Sequence, residues 1–160
     1  MNPAPILSRE ELALRVAAAK EAGQRVVFTN GTYDLLHVGH LRCLKEAREQ
    51  GDLLVVAINS DASVRSYKGE HLPIQPQDER AEILASLRWV DLVCVFDEPT
   101  VDVLLRLLEP HVHAKGTEYD PKTLPERDSV LSYGGEIAIV GDSKAHSSSW
   151  LIQKIRALPE

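Results

Sequence analysis

Five short apolar runs, separated by helical patterns, constrain the fold of this chain more than any other feature of its sequence. The runs are RVVFTN at 25–30, DLLVVAINS at 52–60, DLVCVFD at 91–97, HVHAKG at 111–116 and EIAIVGD at 136–142. They are rich in Val and Ile and continuous rather than alternating, as expected for strands that helices cover on both faces. Strands of this kind form parallel sheets, so the sequence predicts an α/β fold.

Helical patterns fill the intervals between these runs. Ser8 and Glu11 form a capping-box sequence, and apolar residues follow at helical spacing, which predicts a first helix over 8–22. Further helices are predicted over 39–50, 78–88, 100–109, 124–133 and 147–157. The alternation predicts a three-layer, Rossmann-like, doubly wound parallel sheet of five strands. Residues 1–160 are expected to form a single domain, with its core over 25–157.

Composition narrows the classes of partner. A formal net charge of −6 argues against an extended nucleic-acid surface, although it allows a local cationic pocket for a small anion. No leader-peptide pattern opens the chain, and no segment has the ~20 apolar residues of a membrane span. We therefore expect a cytoplasmic protein that has neither a nucleic-acid nor a membrane partner.

The cysteines and two of the histidines carry no metal-binding pattern. Cys43 and Cys94 lack CxxC spacing, and we expect two buried, reduced thiols. His111 and His113 alternate along one apolar run with no cysteine or third histidine nearby, so we predict a structural role for both.

The strongest functional signal follows the first apolar run, in the segment TNGTYDLLHVGH at 29–40. Ligands of doubly wound sheets bind at the carboxyl ends of the strands, where this segment would lie. Gly39 is predicted to open a helix whose free N–H groups attract phosphate, and its missing side chain would let the phosphate approach. His37 and His40 would donate to the same anion. GxxxxGK[ST] and GxGxxG are both absent, which disfavours a P-loop ATPase and a dinucleotide-dependent dehydrogenase.

The run GTYDLLHVGH resembles the signature of the nucleotidyltransferase superfamily, in which HxGH binds the triphosphate of a nucleotide. Other motifs of that superfamily follow in the expected order, namely Asn59-Ser60-Asp61, Lys68-Gly69, Asp78-Glu79-Arg80, Val90-Asp91, Lys115-Gly116 and His146-Ser147-Ser148-Ser149. The resemblance covers residues 8 to 157. Within the superfamily, NSDASVRSYKG, FDEPT and YGGEIAIV are most similar to the bacterial D-glycero-β-D-manno-heptose 1-phosphate adenylyltransferases. This resemblance implies transfer of AMP from ATP to a sugar 1-phosphate by in-line attack, with release of pyrophosphate.

The resemblance also implies roles for single residues, in a reaction that depends on positioning and charge stabilisation. The catalytic residues would be His37, His40 and Arg80. Nucleotide contacts are implied for Thr29, Asn30, Gly31, Thr32, His37, Gly39, His40, Lys115, Gly116, Ser147, Ser148 and Ser149. Acceptor contacts are implied for Asp34, Asn59, Asp61, Lys68 and Arg80. Arg42 is a further candidate for a phosphate contact, and Asp34 could instead hold a metal.

Cofactor and partners follow from the same resemblance. We expect Mg²⁺ to enter with ATP, because this ion neutralises a triphosphate, keeps several waters and needs few protein carboxylates. Superfamily members are commonly dimers, so a homodimer is compatible with the sequence. Related enzymes often carry a sugar-kinase domain on the same chain. A chain of 160 residues has no room for one, and a separate sugar kinase is expected to supply the sugar phosphate.

Departures from the heptose enzymes leave two other functions open. Leu72-Pro73 stands where those enzymes have Arg-Pro, Thr117-Glu118-Tyr119 replaces Gly-Asp-Tyr, and His146 with three serines replaces an ISTT-like motif. One alternative is a cytidylyltransferase that uses CTP and glycerol 3-phosphate or another polyol phosphate. The other is a nucleotide-binding regulatory domain without catalysis, against which the intact histidine pair argues.

Overall fold

The computed structural model describes residues 2–143 and 146–159, which form six strands and seven helices. The strands are β1 (Ile6–Leu7), β2 (Val26–Gly31), β3 (Leu53–Asn59), β4 (Leu92–Phe96), β5 (Val112–Gly116) and β6 (Glu136–Val140). The helices are α1 (Arg9–Glu21), α2 (Val38–Glu49), α3 (Asp61–Lys68), α4 (Gln77–Ala85), α5 (Asp102–Leu108), α6 (Arg127–Ser132) and α7 (Ser148–Arg156).

All six strands are parallel and lie in the order β1-β4-β3-β2-β5-β6. From β2 the chain winds outward through β3 and β4, and then returns to place β5 on the other side of β2. The winding direction therefore reverses between β2 and β5, where Val27 pairs with Val112 and Phe28 with His113. In an open α/β sheet, such a reversal separates the loops at the carboxyl ends and leaves a crevice for a ligand.

Side chains that alternate along the strands enter two apolar layers on opposite faces of the sheet. Val26 and Phe28 pack on the side of α1, α5 and α6, whereas Val27 packs on the side of α2 and α4. Because helices cover both faces, a strand has no solvent-facing side, and its residues are apolar without alternation. The predicted three-layer parallel fold is confirmed.

The sheet differs from the prediction by one strand, and one helix was not predicted. β1 has only two residues, which pair with Val93 and Cys94 at the sheet edge, and Pro5 O accepts the Val93 N–H at 3.0 Å. A strand this short has no periodicity to detect, which is why the prediction of five strands was wrong. Helix α3 begins after Ser60, whose Oγ accepts the Ser63 N–H at 3.2 Å. The remaining boundaries differ from the predicted ones by a few residues.

Both cysteines and the histidines at positions 111 and 113 have surroundings that bear on their predicted roles; His111 lies just before β5 and His113 within it. Cys43 and Cys94 are free thiols, although Cys43 is only partly buried. Burial raises the pKa of Cys43 to about 11 and that of Cys94 to about 12. His111 accepts the Val26 N–H through Nδ1 at 2.9 Å, and His113 is buried completely in the core.

Candidate active site

One pocket of about 730 Å³ lies at the carboxyl ends of β2 and β5, in the crevice where the winding reverses. Its walls come from the segments that follow β2, β5 and β6, from the start of α2, and from the start of α7. The predicted nucleotide-binding residues that line it are Thr29, Asn30, Gly31, Thr32, His37, Gly39, His40, Lys115, Gly116, Ser147, Ser148 and Ser149. The structure thus brings together segments that are more than 100 residues apart in sequence.

His37 and His40 form a stacked pair at the start of α2. Their ring centroids are 3.9 Å apart and their planes are inclined by 27°. The His37 backbone N–H donates to Nδ1 of His40 at 3.3 Å. A neutral imidazole that accepts through Nδ1 carries its proton on Nε2, so His40 can present an N–H to a ligand.

The environment keeps both imidazoles neutral near physiological pH. Burial lowers the pKa of His40 to about 4, with smaller contributions from the nearby His37 and Lys68. Burial and the neighbouring His146 also lower the pKa of His37. Two neutral imidazoles at a helix start can each donate an N–H to an oxyanion without carrying a positive charge.

Gly39 has a packing role that the sequence did not predict. A side chain at this position would place its Cβ 2.9 Å from Nδ1 of His37 and 3.5 Å from Cβ of His146. Gly39 therefore makes room for the His37 ring, in addition to any space that it leaves for a ligand. The sequence does not show this packing, because the ring could have pointed elsewhere.

Helix α7 presents a second N-terminus to the pocket. Ser147 caps this helix by accepting the Trp150 N–H through Oγ at 3.0 Å. Ser148 Oγ donates to the carbonyl of Leu35 at 3.0 Å and so ties α7 to the segment that precedes α2. Two helix starts, each with unpaired N–H groups and a partial positive charge, thus face the same cavity.

Lys115 supplies a buried positive charge beside β2. Its Nζ lies 3.4 Å from Oδ1 of Asn30 and 3.9 Å from Oε1 of Glu126, and it stands over the Tyr119 ring at 4.3 Å. Burial lowers the pKa of Lys115. Any side chain at Gly116 would collide with the Glu118 carboxylate. This corner of the pocket therefore combines one cation with carboxylates and a phenol.

The residues predicted to contact the acceptor fall into two groups. Asp34, Asn59 and Lys68 line the pocket, whereas Asp61 and Arg80 do not. The Asp34 carboxylate accepts the N–H groups of Ile74 and Gln75, at 2.8 Å each, and so anchors the loop before α4. Asn59 Nδ2 donates to Ser63 Oγ at 3.1 Å.

Arg80 is fully buried, and acceptors within the protein engage its guanidinium. Nε donates to the carbonyl of Gln75, Nη1 to the carbonyl of Thr32, and Nη2 to Asp61 at 2.7 Å. Because the Arg80 side chain is buried and lies outside the pocket lining, a contact with a phosphate would require the guanidinium to move toward the pocket. Arg42 also lies outside the pocket lining and forms an ion pair with Asp142.

Several residues of the pocket wall were not predicted as site residues. They are Tyr33, Cys43, Tyr67, Glu118, Tyr119, Glu126 and His146. His146 had a signal in the sequence, because it directly precedes the predicted serine run. Glu126 had none, since it belongs to no motif; it lines the pocket and lies 3.9 Å from Nζ of Lys115.

The donor set fits a magnesium ion that arrives with a nucleotide. The part of the chain that the structure describes contains no group of three or more His, Cys, Asp and Glu side chains suited to hold an ion. The two pocket aspartates are engaged, Asp34 by backbone N–H groups and Asp142 by Arg42. Mg²⁺ is commonly bound by substrate phosphates and water, and needs no protein cage. We therefore treat it as part of the substrate.

Comparison with known proteins identifies the family. Residues 28–148 match the family described as cytidylyltransferase-like, and this match includes the histidine pair, Lys115 and the first two residues of the serine run, Ser147 and Ser148. The chain belongs to the cytidylyltransferase-like family. It is accordingly a nucleotidyltransferase, which favours catalysis over a purely regulatory role.

Curated relatives of this cytidylyltransferase-like chain carry the name bifunctional protein HldE. The chain is 48% identical to the HldE of Geotalea uraniireducens over 97% of its length, and 45% identical to that of Pelobacter propionicus over 94%. It spans about a third of the length of these relatives, 32% and 31% respectively.

A solved structure shares the fold. The lipopolysaccharide core biosynthesis protein from Thermoplasma volcanium aligns with a TM-score of 0.66 and 26% identity, over 76% of this chain and all of that one. Among the described residues, every helix is too short or too polar to span a membrane.

Proposed function

We propose that this chain transfers AMP from ATP to a sugar 1-phosphate, specifically D-glycero-β-D-manno-heptose 1-phosphate. An oxygen of the sugar phosphate attacks the α-phosphorus of ATP in line. The bond from that phosphorus to the bridging oxygen of the β-phosphate breaks, and pyrophosphate leaves with the electron pair. The products are an ADP-sugar and pyrophosphate, and no covalent bond to the protein is formed.

The observation that carries this proposal is the meeting of two helix starts in one pocket. His37 and His40 lie at the start of α2, and Ser147 to Ser149 lie at the start of α7. A triphosphate needs donors along its whole length, and two converging helix N-termini with neutral imidazoles provide them. A single helix start would serve one phosphate group only.

Each polar group then has a distinct task. His40 would donate from Nε2 to the α-phosphate, where charge develops as the phosphorus is attacked, and His37 would donate to the same phosphate. Ser147 to Ser149 would hold the β- and γ-phosphates. The cation Lys68 would attract the sugar phosphate, which must approach the α-phosphorus opposite to the leaving pyrophosphate. Lys115 would contact the nucleotide.

The choice of a sugar 1-phosphate rests on similarity. The HldE relatives match nearly the whole chain at 41–48% identity, and the aligned solved structure is a lipopolysaccharide core biosynthesis protein. The heptose 1-phosphate itself comes from the resemblance of NSDASVRSYKG, FDEPT and YGGEIAIV to the heptose 1-phosphate adenylyltransferases.

A pyrophosphate-release assay tests this proposal directly. The purified chain, with Mg²⁺ and ATP, is supplied with the heptose 1-phosphate, and the sugar nucleotide is identified by mass spectrometry. We expect stoichiometric pyrophosphate and ADP-heptose. Mannose 1-phosphate serves as a control for the configuration of the acceptor. Absence of turnover with the heptose phosphate, when another acceptor reacts, would reject the substrate assignment.

A second candidate uses CTP and glycerol 3-phosphate or another polyol phosphate. The observation that favours it is the family match itself, since the family is described as cytidylyltransferase-like. The histidine pair recognises phosphates, so it does not distinguish the two bases. Initial rates with ATP and CTP, each measured with both acceptors, decide between the candidates. The expected result is turnover only with ATP and the sugar phosphate.

Two proposals concern partners. A sugar kinase, on this polypeptide or on another, would form the sugar 1-phosphate that the reaction consumes. The protein would also form a homodimer, as superfamily members commonly do. Light scattering of the purified chain tests the dimer, and a mass corresponding to 17.7 kDa would reject it.

A further inference from the structure

His146 extends the stacked histidine pair across the pocket. Its ring centroid lies 6.3 Å from that of His37, with the planes again inclined by 27°. On its other side the ring meets the edge of Trp150, with centroids 6.5 Å apart and planes at 83°. The three imidazoles His40, His37 and His146 therefore follow one another from the start of α2 toward the start of α7.

We propose that His146 is a third phosphate-binding imidazole, which contacts the pyrophosphate portion of the nucleotide and stabilises it as it leaves. The inference rests on the proposed function, because it needs a triphosphate in this pocket. It goes further because the sequence alone gave His146 no role and showed it only as a departure from ISTT-like motifs. His146 would then be a catalytic residue.

The position of His146 in the fold supports this role. It immediately precedes Ser147, the residue that caps α7, and it lines the same pocket as Ser148 and Ser149. A donor at this place lies beside the helix start that would hold the β- and γ-phosphates. His40, at the other end of the row, lies beside the start of α2.

The two ring nitrogens of His146 differ in their access to the pocket. Nδ1 of His146 is buried and has no hydrogen-bond partner among residues 2–143 and 146–159, and the same holds for Nδ1 of His37. Because a ligand in the pocket does not reach a buried atom, Nε2 is the nitrogen of His146 that can donate to a phosphate. A residue present only to pack against Trp150 and His37 would be served equally well by an apolar side chain.

Binding measurements on the full chain test the proposal without any acceptor. The probes are pyrophosphate, α,β-methylene-ATP and AMP, measured by calorimetry with Mg²⁺. His146→Ile removes the imidazole and restores the apolar residue of ISTT-like motifs. His146→Gln can place an amide N–H near the position of Nε2. His71→Ala, at an exposed histidine outside the pocket lining, is the matched control.

We expect His146→Ile to weaken pyrophosphate and α,β-methylene-ATP by about tenfold or more, as for loss of a hydrogen bond to a charged group. AMP should bind as it does to the unchanged protein, because it lacks the β- and γ-phosphates. His146→Gln should recover part of the loss, and His71→Ala should show none.

Each contrary result has a clear meaning. Unchanged pyrophosphate affinity in His146→Ile overturns the proposal, and so does an equal loss for AMP, which would indicate a general disturbance of the pocket. If the unchanged protein binds neither pyrophosphate nor the ATP analogue, the triphosphate site itself is refuted, and the proposed function with it. If His146 governs pyrophosphate binding but the heptose phosphate does not react, only the acceptor assignment fails.

Discussion

At the scale of single residues, one backbone hydrogen bond decides which nitrogen of His40 can meet a ligand. Because the His37 N–H donates to Nδ1, the imidazole proton resides on Nε2. The depressed pKa of about 4 keeps the ring neutral, so its contribution is directional hydrogen bonding rather than full charge. The tautomer is therefore fixed before the nucleotide binds.

Replacement of His40 tests this role. We expect His40→Ala to lower kcat by about 100- to 1000-fold, as for loss of one donor that acts on the transition state. The KM for ATP should change much less, because the contact strengthens only as charge develops. His40→Gln, which can place an amide N–H near Nε2, should recover part of the rate. Equal losses in kcat and in nucleotide affinity would show a ground-state contact only.

At the scale of elements, helix propensity and the packing of the His37 ring make opposite demands on Gly39 at the start of α2. Alanine is a better helix former than glycine by about 1 kcal/mol, so Gly39→Ala alone would be expected to stabilise α2. The Cβ would however lie 2.9 Å from Nδ1 of His37 and would push the ring out of the stacked pair.

Gly39→Ala should therefore separate stability from activity. We expect an unchanged or slightly raised melting temperature and a loss of kcat on the order of 100-fold, because small displacements of catalytic groups are costly. Val38→Ala, on a half-exposed neighbour outside the pocket lining, is the control and should retain activity. Full activity of Gly39→Ala would show that the position of His37 is not essential.

Arg80 connects three elements through its guanidinium. It lies in α4, pairs with Asp61 at the start of α3, and donates to the carbonyl of Thr32 after β2. Replacing it with an apolar residue leaves Asp61 and two carbonyl groups without their donor. The arginine thus holds together the loops that shape one wall of the pocket.

Substitution of Arg80 should mainly reduce stability. We expect Arg80→Met to lower the free energy of unfolding by about 3–5 kcal/mol, the usual cost of removing one partner of a buried ion pair. Urea denaturation measures this loss, with Arg88→Ala at an exposed position of the same region as the control. If Arg80→Met unfolds normally yet loses all turnover, a direct contact with the substrate becomes the better explanation.

At the scale of the whole molecule, a buried histidine makes stability depend on pH. His113 is fully buried in β5, and burial lowers its pKa to about 3, with a smaller effect from Lys115. The unfolded chain would take up a proton near pH 6.5, which the folded chain resists. The free energy of unfolding therefore carries no penalty from His113 above pH 6.5, and it decreases as the pH falls from 6.5 toward 3.

The contribution of His113 can be isolated by difference. The free energy of unfolding of the unchanged protein, minus that of His113→Val, should fall by about 1.4 kcal/mol per pH unit between about pH 6 and 4. Taking the difference cancels the contributions of the other titrating groups, including His40, to the pH dependence of the free energy of unfolding. A constant difference across this range would show that His113 is protonated in the folded state, contrary to its burial.

Much of the fold and part of the site could be predicted from sequence because the relevant signals are local. Continuous Val- and Ile-rich runs indicate covered parallel strands, and Ser8 with Glu11 defines the start of α1. The segment at 29–40 and the serines at 147–149 signal helix starts by themselves. Once the parallel fold is assumed, the carboxyl ends of its strands must meet at one edge, so these segments were expected to share a pocket.

The tertiary structure decided which side chains are free and which are engaged. Arg80 has the same sequence signal as a phosphate-binding cation, yet three acceptors from other segments occupy it. His146 has only its position before the serine run as a sequence signal, yet the fold sets its ring beside that of His37. The sequence by itself determined the layers, the location of the site and its anion-binding chemistry, because periodicity and helix starts are properties of neighbouring residues. Whether a side chain is buried or already hydrogen-bonded depends on segments distant in sequence, and only folding brings those segments together.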